Sequence, residues 1–321
     1  MKYRIMALTM ALCLTFSAGA SVYAQSTDDT VQTAVDQAVS TSSTEDSSEE
    51  SSGTQQSEVT EVLALGADLS ETQKQTVLEA FGLDGSALSS MDVITVTNAE
   101  EHQYLDSYLD SSVIGTKALS SVYIVKEEEG HGLDITTSNI NYCTVTMYKN
   151  ALITAGLEDA RVVVAGPTQI SGTAALIGCA KAYSEMTGEE ISEESLDAAT
   201  DELVTTGEIG EAIGDSDDAA ELIAYLKQYM IEHDLNDEDS ISQEVKSKAE
   251  EMGYTLTDDE VSQITSLLMK ISKLNIDVDA LKEQAKDLFN ALGFDSSSDT
   301  AKGIAGIFQS VVSFIKGLFN K

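Results

Sequence analysis

The residues best placed to do chemistry are Gly166-Pro167-Thr168-Gln169-Ile170-Ser171-Gly172-Thr173. They follow the apolar run Val162-Val163-Val164 and open an Ala-rich stretch with helical spacing. A buried strand, a turn of small and hydroxyl residues and a helix start form the arrangement in which α/β sheets bind ligands, at the carboxyl ends of their strands. A helix N-terminus offers unpaired N–H groups to an anion, and Ser171 and Thr173 add hydroxyls. Thr168, Ser171, Gly172 and Thr173 are therefore the candidate ligand-binding residues. The segment is not a Walker A loop: five residues instead of four separate its glycines, and no Lys follows Gly172. A plainer reading needs no ligand. Ser171 caps the helix, and Gly172-Thr173-Ala174-Ala175 packs tightly against the sheet.

Other chemistry finds less support. No G-x-S-x-G nucleophile elbow occurs. Ser313-Phe314-Ile315-Lys316 has S-x-x-K spacing, but it lies on the polar side of an amphipathic helix without S-D-N or K-T-G. His102, His131 and His233 stand alone in sequence, so no zinc-ligand spacing forms, and no cofactor is implied. Glu127-Glu128-Glu129 beside His131 reads as a solvated acidic turn. Asp234 to Asp239 imitates a calcium loop but has Asp239 where Gly makes the sharp turn and Val245 where the bidentate Glu belongs. With 55 acidic residues, carboxylate pairs for glycosidase chemistry arise at almost any separation, so their presence says nothing about design.

The elements that must position these residues follow from periodicity and caps. Strands are expected at Val59 to Leu65, Val93 to Thr97, Ser121 to Val125, Leu133 to Thr137 and Arg161 to Ala165, the last broken by Gly166-Pro167. Residues 126–132 read as a hairpin or long turn between the third and fourth. Ser70 with Gln73 forms a capping box opening a helix that stops at Gly82, and Asn98 with Glu101 caps the next. Val145 to Ala155 keeps helical spacing up to Gly156, and a helix is expected from about Ser171 to Met186. After Gly188 strand signals vanish, leaving five to seven amphipathic helices, including Ser192 to Thr205, Asp217 to Glu232, Ser240 to Met252, Thr257 to Leu274 and Asp277 to Leu292. The fold class is α+β or α/β: a mixed-sheet α/β sandwich followed by an all-helical region. The expected domains are an α/β part over 58–188 and a helical part over 189–294.

The two ends are of different character. Lys2 and Arg4, an apolar run from Ile5 to Phe16 and Val22-Tyr23-Ala24 predict a signal peptide over 1–24, cleaved before Gln25. Residues 25–57 are an acidic Ser/Thr-rich spacer too poor in apolar side chains to fold. Residues 295–321 read as a linker and an amphipathic helix carrying Lys302, Lys316 and Lys321, able to dock in the core or lie on lipid.

Of 18 basic residues, 16 remain after removal of the signal against 55 acidic ones, a net charge of −39. Such a field repels nucleic acid, whose phosphates need clustered Lys and Arg, and attracts loosely bound divalent cations. No segment after the signal has 18 consecutive apolar residues, which predicts a soluble mature chain. Cys143 and Cys179 are the mature cysteines; an oxidising compartment permits a disulfide between them, and two buried thiols are the plainer alternative.

Four segments occur in order: Gly66-Ala67-Asp68-Leu69-Ser70, Ile114-Gly115-Thr116-Lys117, Thr137-Ser138-Asn139-Ile140 and Ser171-Gly172-Thr173-Ala174-Ala175-Leu176. Together they resemble a family of secreted Gram-positive proteins known as domain-of-unknown-function family 1002, the YpuA-like family, over roughly residues 60–290. The resemblance implies an exported protein of Firmicute type and no activity. The functional expectation is a secreted or cell-envelope-associated binding or interaction module that is not an enzyme, with a cell-envelope component as partner. The alternatives are an extracellular hydrolase with its site at Gly166–Thr173, and a membrane-interface protein acting through helix 300–321.

Overall fold

The computed structural model describes residues 60–274 and 276. The expected signal peptide over 1–24, the expected spacer over 25–57, the helix expected at Asp277 to Leu292 and the expected terminal amphipathic segment lie outside the described residues.

The chain runs β1 (Glu61–Gly66), α1 (Glu71–Ala80), α2 (Ala87–Ser90), β2 (Asp92–Val96), α3 (Asn98–Leu105), α4 (Ser111–Ile114), β3 (Ser121–Lys126), β4 (Leu133–Ile140), α5 (Val145–Ala155), β5 (Ala160–Ile170) and α6 (Thr173–Thr187). Four helices follow: α7 (Glu193–Ile213), α8 (Ser216–Glu232), α9 (Glu238–Glu251) and α10 (Asp258–Ile271). The fold is α+β, a mixed five-stranded sheet followed by helices.

Strand order is β2-β1-β3-β5-β4. β1 pairs parallel with β2 and β5 parallel with β4, while β3 runs antiparallel to both β1 and β5. The carboxyl ends of β1, β2, β4 and β5 therefore share one edge of the sheet with the beginning of β3. The expected turn between β3 and β4 is no hairpin, because β5 lies between them. The physical reason is burial. Val162 and Val164 are fully buried, as suits an interior strand, whereas β4 alternates buried Leu133 and Ile135 with exposed Asp134 and Thr136, as suits an edge.

The expected break at Gly166-Pro167 also falls inside a strand. Pairing jumps from Ser138↔Ala165 to Ile140↔Ile170, so residues 166–169 bulge opposite Asn139. A bulge tolerates proline because that position donates nothing to the ladder. Asn139, at φ 58°, donates its Nδ2 to the Gly166 carbonyl at 3.1 Å, replacing part of the interrupted pairing.

Alternating strand residues bury opposite faces. Leu63, Leu65 and Tyr123 pack with Val77, Leu78 and Phe81 of and beside α1. Val62, Ala64, Val122, Ile124, Val162 and Val164 pack with α5 and α6, and Leu196, Ala199 and Leu203 of α7 belong to the same cluster. A further apolar cluster joins α8, α9 and α10. Among the described residues no helix is long and apolar enough to cross a membrane.

Candidate functional site

Local capping decides which side chains face the sheet's carboxyl edge. At the start of α3 the capping box is made by Thr97 and Glu100, one residue earlier than expected: Thr97 Oγ1 accepts from Glu100 N–H, and Glu100 Oε2 accepts from Thr97 N–H at 2.7 Å. Glu101 is thereby released from capping and turns inward, where only 2% of its surface is exposed. At the start of α6 the cap is Gly172, in the left-handed conformation and without a side-chain cap, so Ser171 does not cap this helix. Ser171 Oγ instead lies 3.3 Å from Thr173 Oγ1, and Thr173 Oγ1 donates to Glu101 Oε1 at 3.2 Å. Asn98 Nδ2 donates to Glu101 Oε2 at 3.2 Å.

These groups border a cleft of about 280 Å³ whose lining includes Glu101, Gly115, Lys117, Ile170, Ser171 and Gly172. Its position is the carboxyl edge of the sheet, where the ends of β2 and β5 and the approach to β3 meet. Asp68, in the turn after β1, holds that approach by accepting Ala118 N–H at 2.9 Å. His102, the neighbour of Glu101 on α3, bridges that helix and the cleft-lining Gly115: Nδ1 is 2.6 Å from Asp106 Oδ1 and Nε2 is 3.2 Å from the Gly115 carbonyl. With an acceptor at each ring nitrogen, led by Asp106, its pKa is raised.

Burial raises the Glu101 carboxyl from 4.5 to about 7; the donors Asn98 and Thr173 oppose that rise and the charge of Asp68 adds to it. The folded chain thus keeps this proton to near pH 7, while an unfolded Glu releases it near pH 4.3. Between those limits the native state binds more protons, so stability falls as pH rises and levels off above the folded value. Glu101→Gln removes this contribution. Urea unfolding of wild type and variant is expected to show their stability difference shifting toward the variant by about 3 kcal/mol between pH 4.5 and pH 8. A difference that does not change with pH would refute the buried, protonated state.

The remaining candidates separate. Gly172 and Thr173 are buried, Ser171 is half-buried, and all three adjoin the cleft or Glu101. Thr168 is exposed on the bulge of β5 and does not line the cleft. Cys143 and Cys179 are free, buried thiols. Burial pushes Cys143 up to about 12 and Cys179 well above the usual thiol value, so neither supplies a nucleophilic thiolate near neutral pH. Glu127 pairs with Arg161 at 3.4 Å, and Asp237 of the calcium-like segment caps α9 by accepting Ser240 N–H at 2.9 Å. Among the described residues no three His, Cys, Asp or Glu side chains come together as metal ligands. Sequence reasoning assigned Glu101 to a capping box with Asn98 and so missed it as a site residue, since Asp68 and Thr173, which also act on it, lie far away in sequence.

A family model described as "Protein of unknown function (DUF1002)" matches residues 65–288. The chain is 38% identical over 260 residues to the Bacillus subtilis protein described as "Uncharacterized protein YpuA", a match covering 81% of this chain and 87% of that protein. No solved structure matches.

Proposed function

The chain belongs to the DUF1002 family, whose description names no activity, and we propose that it is an exported binding module that takes a small cell-envelope ligand in the cleft at the carboxyl edge of its sheet. The observation carrying this reading is the buried Glu101 in a cleft assembled from separate segments. Gly115, Lys117, Ser171 and Gly172 line it, and Asp68 braces its wall. Glu101 is shielded from water, lines the cleft and holds its proton to near pH 7, and strongly perturbed acids in clefts concentrate at functional sites. Export rests on Lys2, Arg4 and the apolar run ending at Val22-Tyr23-Ala24. The strong negative charge suits a solvated extracellular chain and disfavours a nucleic-acid partner.

The test is a thermal-denaturation screen of amino acids, amino sugars and muropeptides. It compares the chain recovered from culture medium, expected to begin at Gln25, with a Ser171→Phe variant that fills the cleft. A ligand at 100 times its Kd stabilises the folded form by about 2.7 kcal/mol, and this gain is expected in wild type alone. Equal stabilisation of the variant, or none of wild type, refutes the binding site; recovery only inside cells with Met1 in place refutes export.

A further inference from the structure

We propose that the cleft selects a small zwitterion, with the ligand's ammonium group at Glu101 and its carboxylate or phosphate at Lys117. This rests on the reading of the cleft as a ligand site and adds the chemistry of what enters. The two charged residues that line the cleft have opposite signs and opposite exposure: Glu101 is buried at its inner end, and Lys117 is exposed at its mouth. Among the described residues neither belongs to an ion pair.

Glu101 receives one neutral donor on each oxygen, from Asn98 and Thr173. A carboxylate has about four acceptor positions, so it retains room for a further donor. The charged groups acting on it are His102, its neighbour on α3, and Asp68 in the turn after β1. His102 is occupied outward by Asp106 and the Gly115 carbonyl. Asp68 carries the same sign as Glu101 and therefore makes the inner end more receptive to a cation. Burial lets Glu101 hold a proton up to near pH 7; a bound ammonium group takes the place of that proton and supplies both charge and hydrogen-bond donors. Between the two ends Val113, Ile114 and Ile170 offer apolar wall for a short carbon skeleton. The volume, about 280 Å³, lies just under the range of drug-sized sites and suits a compact molecule.

Isothermal titration of the full chain with D- and L-alanine and phosphoethanolamine, each beside its N-acetyl derivative, and of alaninamide, tests this. Wild type is expected to bind an unblocked zwitterion at least ~10-fold tighter than its N-acetyl form and than the amide, the scale of one charge-assisted hydrogen bond. Phosphoethanolamine against alanine decides between phosphate and carboxylate at the mouth. Glu101→Gln should abolish discrimination against the N-acetyl form and keep that against the amide; Lys117→Met should do the reverse. Lys117 is exposed, so its replacement leaves the fold intact. Blocked and free forms binding alike, or a neutral compound alone stabilising the chain in the thermal screen, overturns the zwitterion and leaves the cleft as a ligand site. No binding by any probe or screened compound overturns both.

Discussion

Lys227→Met is expected to destabilise the folded chain by about 3–5 kcal/mol, enough to unfold much of a marginally stable domain. Lys227 and Glu202 are both fully buried, with Nζ 2.8 Å from Oε1. Lys227 also donates to Thr154 Oγ1 and to the Asn150 carbonyl, each at 3.0 Å, and Thr154 Oγ1 donates to the other Glu202 oxygen. Asn150 Nδ2 reaches the Ala220 carbonyl at 2.7 Å. One polar knot thus ties α5, α7 and α8 together inside apolar packing. Burial drives Glu202 up and Lys227 down, both toward neutrality, and their mutual contact opposes each shift. Removing the ammonium strands the carboxyl in a dry interior, which explains the size of the loss. Removing both partners does not. In Lys227→Met with Glu202→Leu the Thr154 hydroxyl can turn to the Asn150 carbonyl one turn earlier, and buried pairs replaced by apolar groups are often neutral or stabilised. Chemical denaturation of the two single variants and the double is expected to give a coupling energy that cancels most of the single losses. Additive losses, a coupling energy of zero, would mean that Lys227 and Glu202 contribute independently and not as a pair.

Nothing in the sequence around Glu202 or Lys227 marks them as partners, because they stand on different helices and meet only through packing. Caps were legible for the opposite reason. Ser70 with Gln73 closes a cap with side chains three residues apart, and Gly156 makes its stop by its own left-handed backbone. The α3 cap shows where locality fails. Thr97 and Asn98 are both good caps, each followed three residues later by a glutamate, so two boxes compete one residue apart. Tertiary structure chooses Thr97, and the choice decides that Glu101 faces the cleft. Strand order was hidden in the same way, since no local signal announces that β5 enters between β3 and β4. The strand–turn–helix at Ser171-Gly172-Thr173 was legible as a site segment; the carboxyl across from it was not.

Gly172→Ala is expected to cost about 3 kcal/mol, shared between backbone strain and crowding. Gly172 sits at φ +95°, where an added Cβ costs about 1–2 kcal/mol. That Cβ would also collide with Tyr148 Oη and stand 2.7 Å from Ile140 Cγ2. Neither neighbour is free to retreat. Tyr148 is fully buried, and its hydroxyl donates to the Gly172 carbonyl at 2.6 Å, while Ile140 is held in register with Ile170. Gly130→Ala supplies the control: φ is +85° there, but nothing lies within 4 Å of the new methyl, so only the backbone penalty applies. For a domain of this size about 3 kcal/mol lowers Tm by roughly 6–12 °C, and the control's backbone penalty lowers it by about one third to two thirds as much. Equal shifts in the two variants would show that Tyr148 and Ile140 yield to the methyl. The larger loss at Gly172 would instead tie the α6 turn, and with it Ser171 and Thr173, to a close contact that only glycine permits, so that the cleft's geometry and the chain's stability rest on the same residue.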